Sequence, residues 1–181
     1  MRYFLTPQWD IYRSLSGLVT GQKVLEIGFG TGAGTIQLAS HAEYVAAIEL
    51  EREAVRFAEM VFPLSNIHWL EGDVTRLPET FGRYDAAVMI EVLEHVGDYQ
   101  RALSNVYRVL KPGGRLYLSA RNANADLRRN DLHAREWTAR ELVDSLEEVF
   151  APVMLYDYTL TTILPDTTRV TPLVAAAWKG Q

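Results

Sequence analysis

Short runs in which nearly every position is apolar alternate along the chain with longer stretches whose apolar residues recur three or four positions apart. The runs "KVLEI", "YVAAIE", "NIHWLEG", "YDAAVMI" and "GRLYLSA" have strand length and are rich in residues that suit a pleated surface. Between most of them lie "AGTIQLASH", "EREAVRFAEMVF" and "DYQRALSNVYRVL", each with the spacing of one buried helix face. Near-continuous apolar strands alternating with helices predict a parallel sheet covered on both faces. A covering helix precedes the first strand, with Thr6 as N-cap, Pro7 at its first position, an apolar stripe of Ile11, Leu15 and Leu18, and a stop at Gly21.

The final third changes character. Thr138 and Glu141 have the spacing of a capping box and Trp137 and Leu142 that of a hydrophobic staple, which predicts a helix over 139–150. Beyond it, "VMLYDY" and "VTPLVAAAW" read as strands joined by "TLTTILPDTTR", a connection too short for a crossover helix. Such strands pair antiparallel. The chain shows no repeat, low-complexity tract or linker, and 1–181 reads as one domain.

Composition narrows the function classes. The 181 residues, 48% hydrophobic, suit one globular domain. A net charge of -5 argues against a broad nucleic-acid or membrane-binding surface. The absence of cysteine removes disulfides, thiolate metal sites and cysteine nucleophiles. No apolar run approaches the ~20 residues of a membrane span, and "MRYFLTPQWD" lacks a signal-peptide layout. Cytoplasmic residence is the resulting expectation.

The candidate chemistry gathers at "VLEIGFGTG", where a strand enters a glycine-rich turn. Gly28, Gly30 and Gly32 would let backbone and ligand approach closely, and the following helix would aim its free N–H groups at an anionic ligand group. Glu49, nineteen positions after Gly30 at the end of the second strand, is placed to accept from ribose hydroxyls. Glu26 breaks an apolar strand and so needs a partner, such as a loop N–H or a ligand ammonium. Asp73 in "EGDVTRLP" could accept from an exocyclic amine or simply cap a turn.

Together with "YDAAVMIEVLEHV" and "VYRVLKPGGRLYLSA", these motifs resemble the class I S-adenosylmethionine-dependent methyltransferases over nearly the whole chain. The resemblance implies an α/β fold, a three-layer Rossmann-like doubly wound sheet of order 3-2-1-4-5-7-6 with strand seven antiparallel, and S-adenosylmethionine as cofactor. It further implies that Gly28, Gly30 and Gly32 line the methionine portion and that Glu26 helps hold its amino group. Glu49, with Leu50 beside it, would meet the ribose, and Asp73 and Val74 the adenine. Glu91, ending strand four, would lie beside the transferable methyl. "KPGG" at Lys111 to Gly114 reads as a helix stop and turn into strand five.

Two other readings compete. Gly28-x-Gly30-x-x-Ala33 also fits a nicotinamide-binding turn, and Tyr107 with Lys111 has the Tyr-x-x-x-Lys spacing of short-chain dehydrogenases, but the serine which that family places at the end of strand four is missing. A catalytically silent subunit could keep the fold without turnover.

For methyl transfer, alignment of nucleophile and methyl carbon supplies much of the rate, and a base is needed for a reluctant nucleophile. His95, after strand four, is the first candidate base, against a packing or capping role, and His133 the second. Tyr3 could fold over the cofactor. Segment 121–140 carries Arg121, Arg128, Arg129, Arg135 and Arg140 against three acids, which suits an anionic small-molecule acceptor, or else a solvated face. No metal-binding Asp and Asn trio of the catechol type is present, nor an Asn/Asp-Pro-Pro-aromatic motif after strand four. The sequence leaves the oligomeric state open.

Overall fold

The computed structural model describes residues 7–125 and 133–180. The first half alternates α1 (Pro7–Leu18), β1 (Lys23–Ile27), α2 (Ala33–Ala39), β2 (Tyr44–Glu49), α3 (Arg52–Val61) and β3 (Ile67–Glu71). The second half holds β4 (Tyr84–Ile90), α4 (Tyr99–Val109), β5 (Leu110–Ala120), α5 (Ala139–Glu147), β6 (Val153–Tyr156), β7 (Ile163–Leu164) and β8 (Leu173–Trp178). Short 3₁₀ turns at Val74–Arg76 and Leu93–His95 follow β3 and β4.

The strands form a single eight-stranded sheet of order β3-β2-β1-β4-β5-β8-β6-β7. β1 to β5 run parallel, while β8 pairs antiparallel with both β5 and β6. This is the doubly wound order expected, with β6 and β8 as strands six and seven. Alternate residues of each strand feed opposite layers, as the pleat requires. On one face Val24, Val45 and Val88 meet Ile11 and Leu15 of α1, Leu38 of α2 and Ala58 of α3. On the other, Leu25, Met89 and Leu118 meet Leu103 and Val106 of α4 and Leu142 and Leu146 of α5. Parallel strands thus turn all their carboxyl ends to one edge.

The capping box of Thr138 and Glu141 is formed in full, and Trp137 and Leu142 are both completely buried. The helix ends at Glu147, short of the expected 150, and one further turn places Phe150 in the core. Two features depart from the sequence reading. β7 is an added two-residue edge strand inside the connection that read as a plain loop: Asp157 Oδ1 accepts from the Thr161 amide at 3.1 Å and the Thr159 hydroxyl at 2.8 Å, folding the chain back onto β6. The "KPGG" turn is absorbed into β5, which starts at Leu110 directly after α4. Its pairing with β4 jumps from Tyr84↔Leu110 to Ala86↔Arg115, so the turn survives as a bulge. Thr6 lies outside the described residues.

Candidate functional site

The carboxyl edge of the sheet is shaped by turns that follow β1, β2, β3 and β4. After β1 the chain bends at Gly28, whose φ of 70° lies in the left-handed region and whose missing Cβ would sit 2.4 Å from Val92 Cγ2. Only glycine satisfies both constraints without displacement. The Gly28 amide donates to the Ile48 carbonyl at 2.8 Å, which registers this turn against β2. Glu49 then ties the two turns together: its carboxylate accepts from the Gly30 amide at 2.9 Å and the Leu50 amide at 2.7 Å.

Two cavities flank the glycine turn and share Gly28 and Glu91. One, of about 290 Å³, is lined by Glu49, Leu50, Asp73, Val74 and His95. The other, of about 510 Å³, is walled by Gln8, Trp9 and Tyr12 of α1 on one side and by Gly30 and Ala33 on the other. Among the sequence candidates, Gly28, Glu49, Leu50, Asp73, Val74, Glu91 and His95 therefore come together around the first cavity, and Gly30 lines the second. Gly32 lines neither, and its close neighbour is Trp69, whose ring would lie 2.9 Å from an added Cβ. Glu26 lies wholly buried beneath the turn.

Glu26 is the most constrained acid of the site. Its Oε1 accepts the Tyr12 hydroxyl at 2.7 Å, whereas Oε2 has no hydrogen-bond partner. Burial raises its carboxyl to about 7; Thr35 and Tyr12 act in the opposite direction and Glu49 adds to the rise. The Thr35 hydroxyl faces the carboxyl without a hydrogen bond of good geometry. Asp73 does cap a turn, as its alternative reading allowed. Its Oδ1 accepts from the Thr75 amide at 2.8 Å and the Thr75 hydroxyl at 2.7 Å. Although partial burial works against it, these bonds, with Arg76 and Arg101, hold the acid below its usual range.

Glu91 directly follows β4 with a φ of 55°, the left-handed region that side-chain-bearing residues seldom adopt. Ser119 of β5 holds it there: the Glu91 amide donates to the Ser119 carbonyl and hydroxyl oxygens, each at 3.1 Å, and the hydroxyl donates to Glu91 Oε1 at 2.9 Å. Strain of this kind concentrates at functional sites. Burial raises the Glu91 carboxyl, opposed by Ser119, His133, His95 and Arg121.

His95 and His133 meet edge to face, their ring centroids 4.9 Å apart. His95 lines the cavity; behind it, His133 Nδ1 lies 3.1 Å from Glu136 Oε1, and Arg121 Nε lies 3.4 Å from the same oxygen. Arg135 stacks 4.0 Å over the Trp137 ring and lies 3.6 Å from Glu141. Arg140 pairs with Asp144 and Asp166. The arginines of segment 121–140 among the described residues are thus each engaged with an acid of this chain. Arg128, Arg129 and Tyr3 lie outside the described residues.

Sequence reasoning missed Tyr12, Ser119 and Glu94. Tyr12 adjoins Ile11 on the apolar stripe of α1, and an acid in the neighbouring strand that needs a donor was the available signal. Glu94 lies in "EVLEHV", fully buried, with Oε2 unpartnered and Oε1 accepting the Arg121 amide at 3.3 Å. No helix among the described residues is long and apolar enough to cross a membrane. No group of three or more described His, Asp or Glu residues could hold a metal ion.

A methyltransferase domain family matches residues 25–118, just over half of the chain. Among curated proteins, a Mycolicibacterium smegmatis protein named "Probable S-adenosylmethionine-dependent methyltransferase" is 31% identical over 150 residues, 80% of this chain and 58% of its own. A Coxiella burnetii ubiquinone biosynthesis O-methyltransferase is 32% identical over 106 residues, 58% of this chain and 45% of its own. Among solved structures, N-methyltransferase NodS of Bradyrhizobium japonicum shares the fold with a TM-score of 0.71 at 23% identity, covering 96% of this chain and 94% of that one. The chain belongs to the class I S-adenosylmethionine-dependent methyltransferase family. It spans about half the length of the curated relatives it matches.

Family membership decides between the two cofactor readings in favour of S-adenosylmethionine. The residues fit that group. A zwitterionic amino-acid end calls for a buried acceptor, and Glu26 Oε2 is one without a partner. The adenosine end calls for a half-apolar cleft with acids at its rim, which Leu50, Val74, Glu49 and Asp73 supply.

Proposed function

We propose that this chain acts as one domain that transfers the methyl group of S-adenosylmethionine to a small-molecule acceptor. The observation that carries the reading is the pair of cavities that meet at Gly28 and Glu91 on the carboxyl edge. In an open parallel sheet that edge is where ligands bind. The adenosine end would occupy the cavity of Glu49 and Asp73, with Glu49 taking the ribose hydroxyls and Asp73 with Val74 meeting the base. Gly28 and Gly30 would lie against the methionine portion, with Glu26 below.

When bound, the cofactor supplies a methyl carbon on a positively charged sulfur, open to in-line displacement. The chain's part is alignment. The strained turn at Glu91 and the wall of α1 would fix where an acceptor can stand relative to the junction. His95, on the cavity wall with the His133 ring edge-on to it, would take the proton of a hydroxyl or ammonium acceptor. An anionic acceptor would need a cation beyond Arg121, Arg135 and Arg140, since those already face acids of this chain.

The test is a screen of metabolite pools with isotopically labelled cofactor. Labelled small-molecule product is expected. Tight binding of S-adenosylhomocysteine with persistent absence of product would favour the catalytically silent subunit.

A further inference from the structure

Tyr12 reaches Glu26 from a separate element. Its ring passes over α2 at Gly34, where an added Cβ would lie 2.3 Å from Tyr12 Cζ, so the ring can lie there only because position 34 has no side chain. From there the hydroxyl donates to Glu26 Oε1 at 2.7 Å. Tyr12 also lines the α1-walled cavity, so this one residue touches both that cavity and the buried acid. The remaining oxygen, Oε2, is buried without a hydrogen bond of good geometry, and the only other polar group of the fold facing the carboxyl from α2 is the equally unpaired Thr35 hydroxyl. A buried carboxyl with one oxygen satisfied and one bare is poised for a donor that arrives from outside.

We propose that Tyr12 is a positioning residue for the amino-acid end of the cofactor: it fixes the Glu26 carboxyl through Oε1 so that Oε2 receives the cationic amino group, and binding there displaces the carboxyl proton. This rests on the reading that Glu26 serves that end of the cofactor.

The groups that face Glu26 are few. Tyr12 comes from α1, uncharged Thr35 from α2 and Glu49 from the end of β2, while its register partners Ala47 and Val88 carry no charge. No cation among these offsets the buried charge. The carboxyl, raised to about 7 by burial, therefore holds its proton in the free protein at mildly acidic pH. Arrival of an ammonium favours the ionised form, and the proton leaves to solvent. Affinity for ligands that carry the amino group rises with pH and levels off once the free protein is itself ionised.

Calorimetry on wild type, Tyr12→Phe and Glu26→Gln separates the outcomes, with S-adenosylhomocysteine and 5′-methylthioadenosine as probes. The second keeps the adenosine and the thioether and lacks the amino-acid portion. Titrations from ~pH 6 to ~8 in buffers of different ionisation heat count the protons exchanged. For wild type, proton release and an affinity that rises with pH are expected with S-adenosylhomocysteine only. Tyr12→Phe keeps the ring packed on Gly34 and should weaken S-adenosylhomocysteine about tenfold. It should also move the pH midpoint upward, because the lost bond favoured the ionised carboxyl. Its 5′-methylthioadenosine affinity should stay unchanged, and Glu26→Gln should abolish the proton release. Unchanged affinity and pH dependence in Tyr12→Phe, equal loss of both ligands, or pH-independent binding without proton release in wild type would each overturn the inference alone. Failure of wild type to bind either ligand would overturn the proposed function with it.

Discussion

The Glu49 carboxylate accepts the Gly30 amide at 2.9 Å from nineteen positions further along the chain, so the turn after β1 and the turn after β2 are fixed by one side chain. An acid held in this way has its orientation set before any ligand arrives, and its side chain lines the cavity of Leu50 and Asp73. Glu49→Ala should therefore lose both a ligand contact and the set of the glycine turn. The expected loss of S-adenosylhomocysteine affinity is about 1.5 to 3 kcal/mol, the range for a hydrogen bond to a charged group. Calorimetry checks it, and full retention of affinity would remove Glu49 from the site.

Two glycines of the same turn should behave differently when replaced. Gly28 combines a φ of 70° with Val92 at 2.4 Å from a new Cβ, whereas Gly30 has a φ of 57° and open space beside it. Gly30→Ala should cost on the order of 1 to 2 kcal/mol from backbone strain alone. Gly28→Ala adds the displacement of a β-branched side chain, a further ~1 to 3 kcal/mol. Urea unfolding of the two variants tests the order, and equal losses would mean that Val92 moves aside freely.

The order of strands and helices was legible because β1 to β5 each carry a short, predominantly apolar run and the helices between them repeat every three or four residues. Burial on both faces leaves that record in composition. The capping box at Thr138 was legible for a related reason, since both partners lie within three residues. The bulge in β5 and the two-residue β7 were not, because each depends on which strand edge the chain meets. At the site, the rim acids showed up as breaks at strand ends. The contacts of Tyr12 with Glu26 and of Ser119 with Glu91 span 14 and 28 residues, and spacing along the chain carries no sign of them.

Glu94 should make stability fall as pH rises. Burial raises its carboxyl to about 7 and Glu91 adds to the rise, while the amides that face it oppose it and Glu136 adds again. The unfolded carboxyl titrates at the ordinary, lower value, so the folded state holds the extra proton between the two. The stabilisation is complete below the unfolded pKa and is lost as pH rises through about 7. Glu94→Gln keeps an acceptor for the Arg121 amide and never ionises. It should match wild type near ~pH 4.5 and exceed it at ~pH 8 by up to roughly 3 kcal/mol. Urea unfolding at the two pH values decides; equal stability of the two proteins at the higher pH would mean that the cluster accommodates the charge.

His95 stands where a base would have to stand if the acceptor is an alcohol or an ammonium. The 3₁₀ turn Leu93–His95 fixes its backbone, with the His95 amide donating to the Val92 carbonyl at 2.9 Å, and His133 packs edge-on against its ring. Its ring is therefore held on the wall of the cavity shared with Glu91 and Gly28. Removing a base lowers the rate of proton transfer, so His95→Gln should reduce turnover by roughly 10²- to 10⁴-fold, far more than any change in S-adenosylhomocysteine affinity that follows from altering the wall of the shared cavity. A thiolate or an activated carbon needs no base, and with such an acceptor alignment alone carries the reaction. The decisive measurement is turnover of the variant on an alcohol acceptor at neutral pH: near-wild-type rates there would exclude His95 as the base and shift the role to His133 or Glu91.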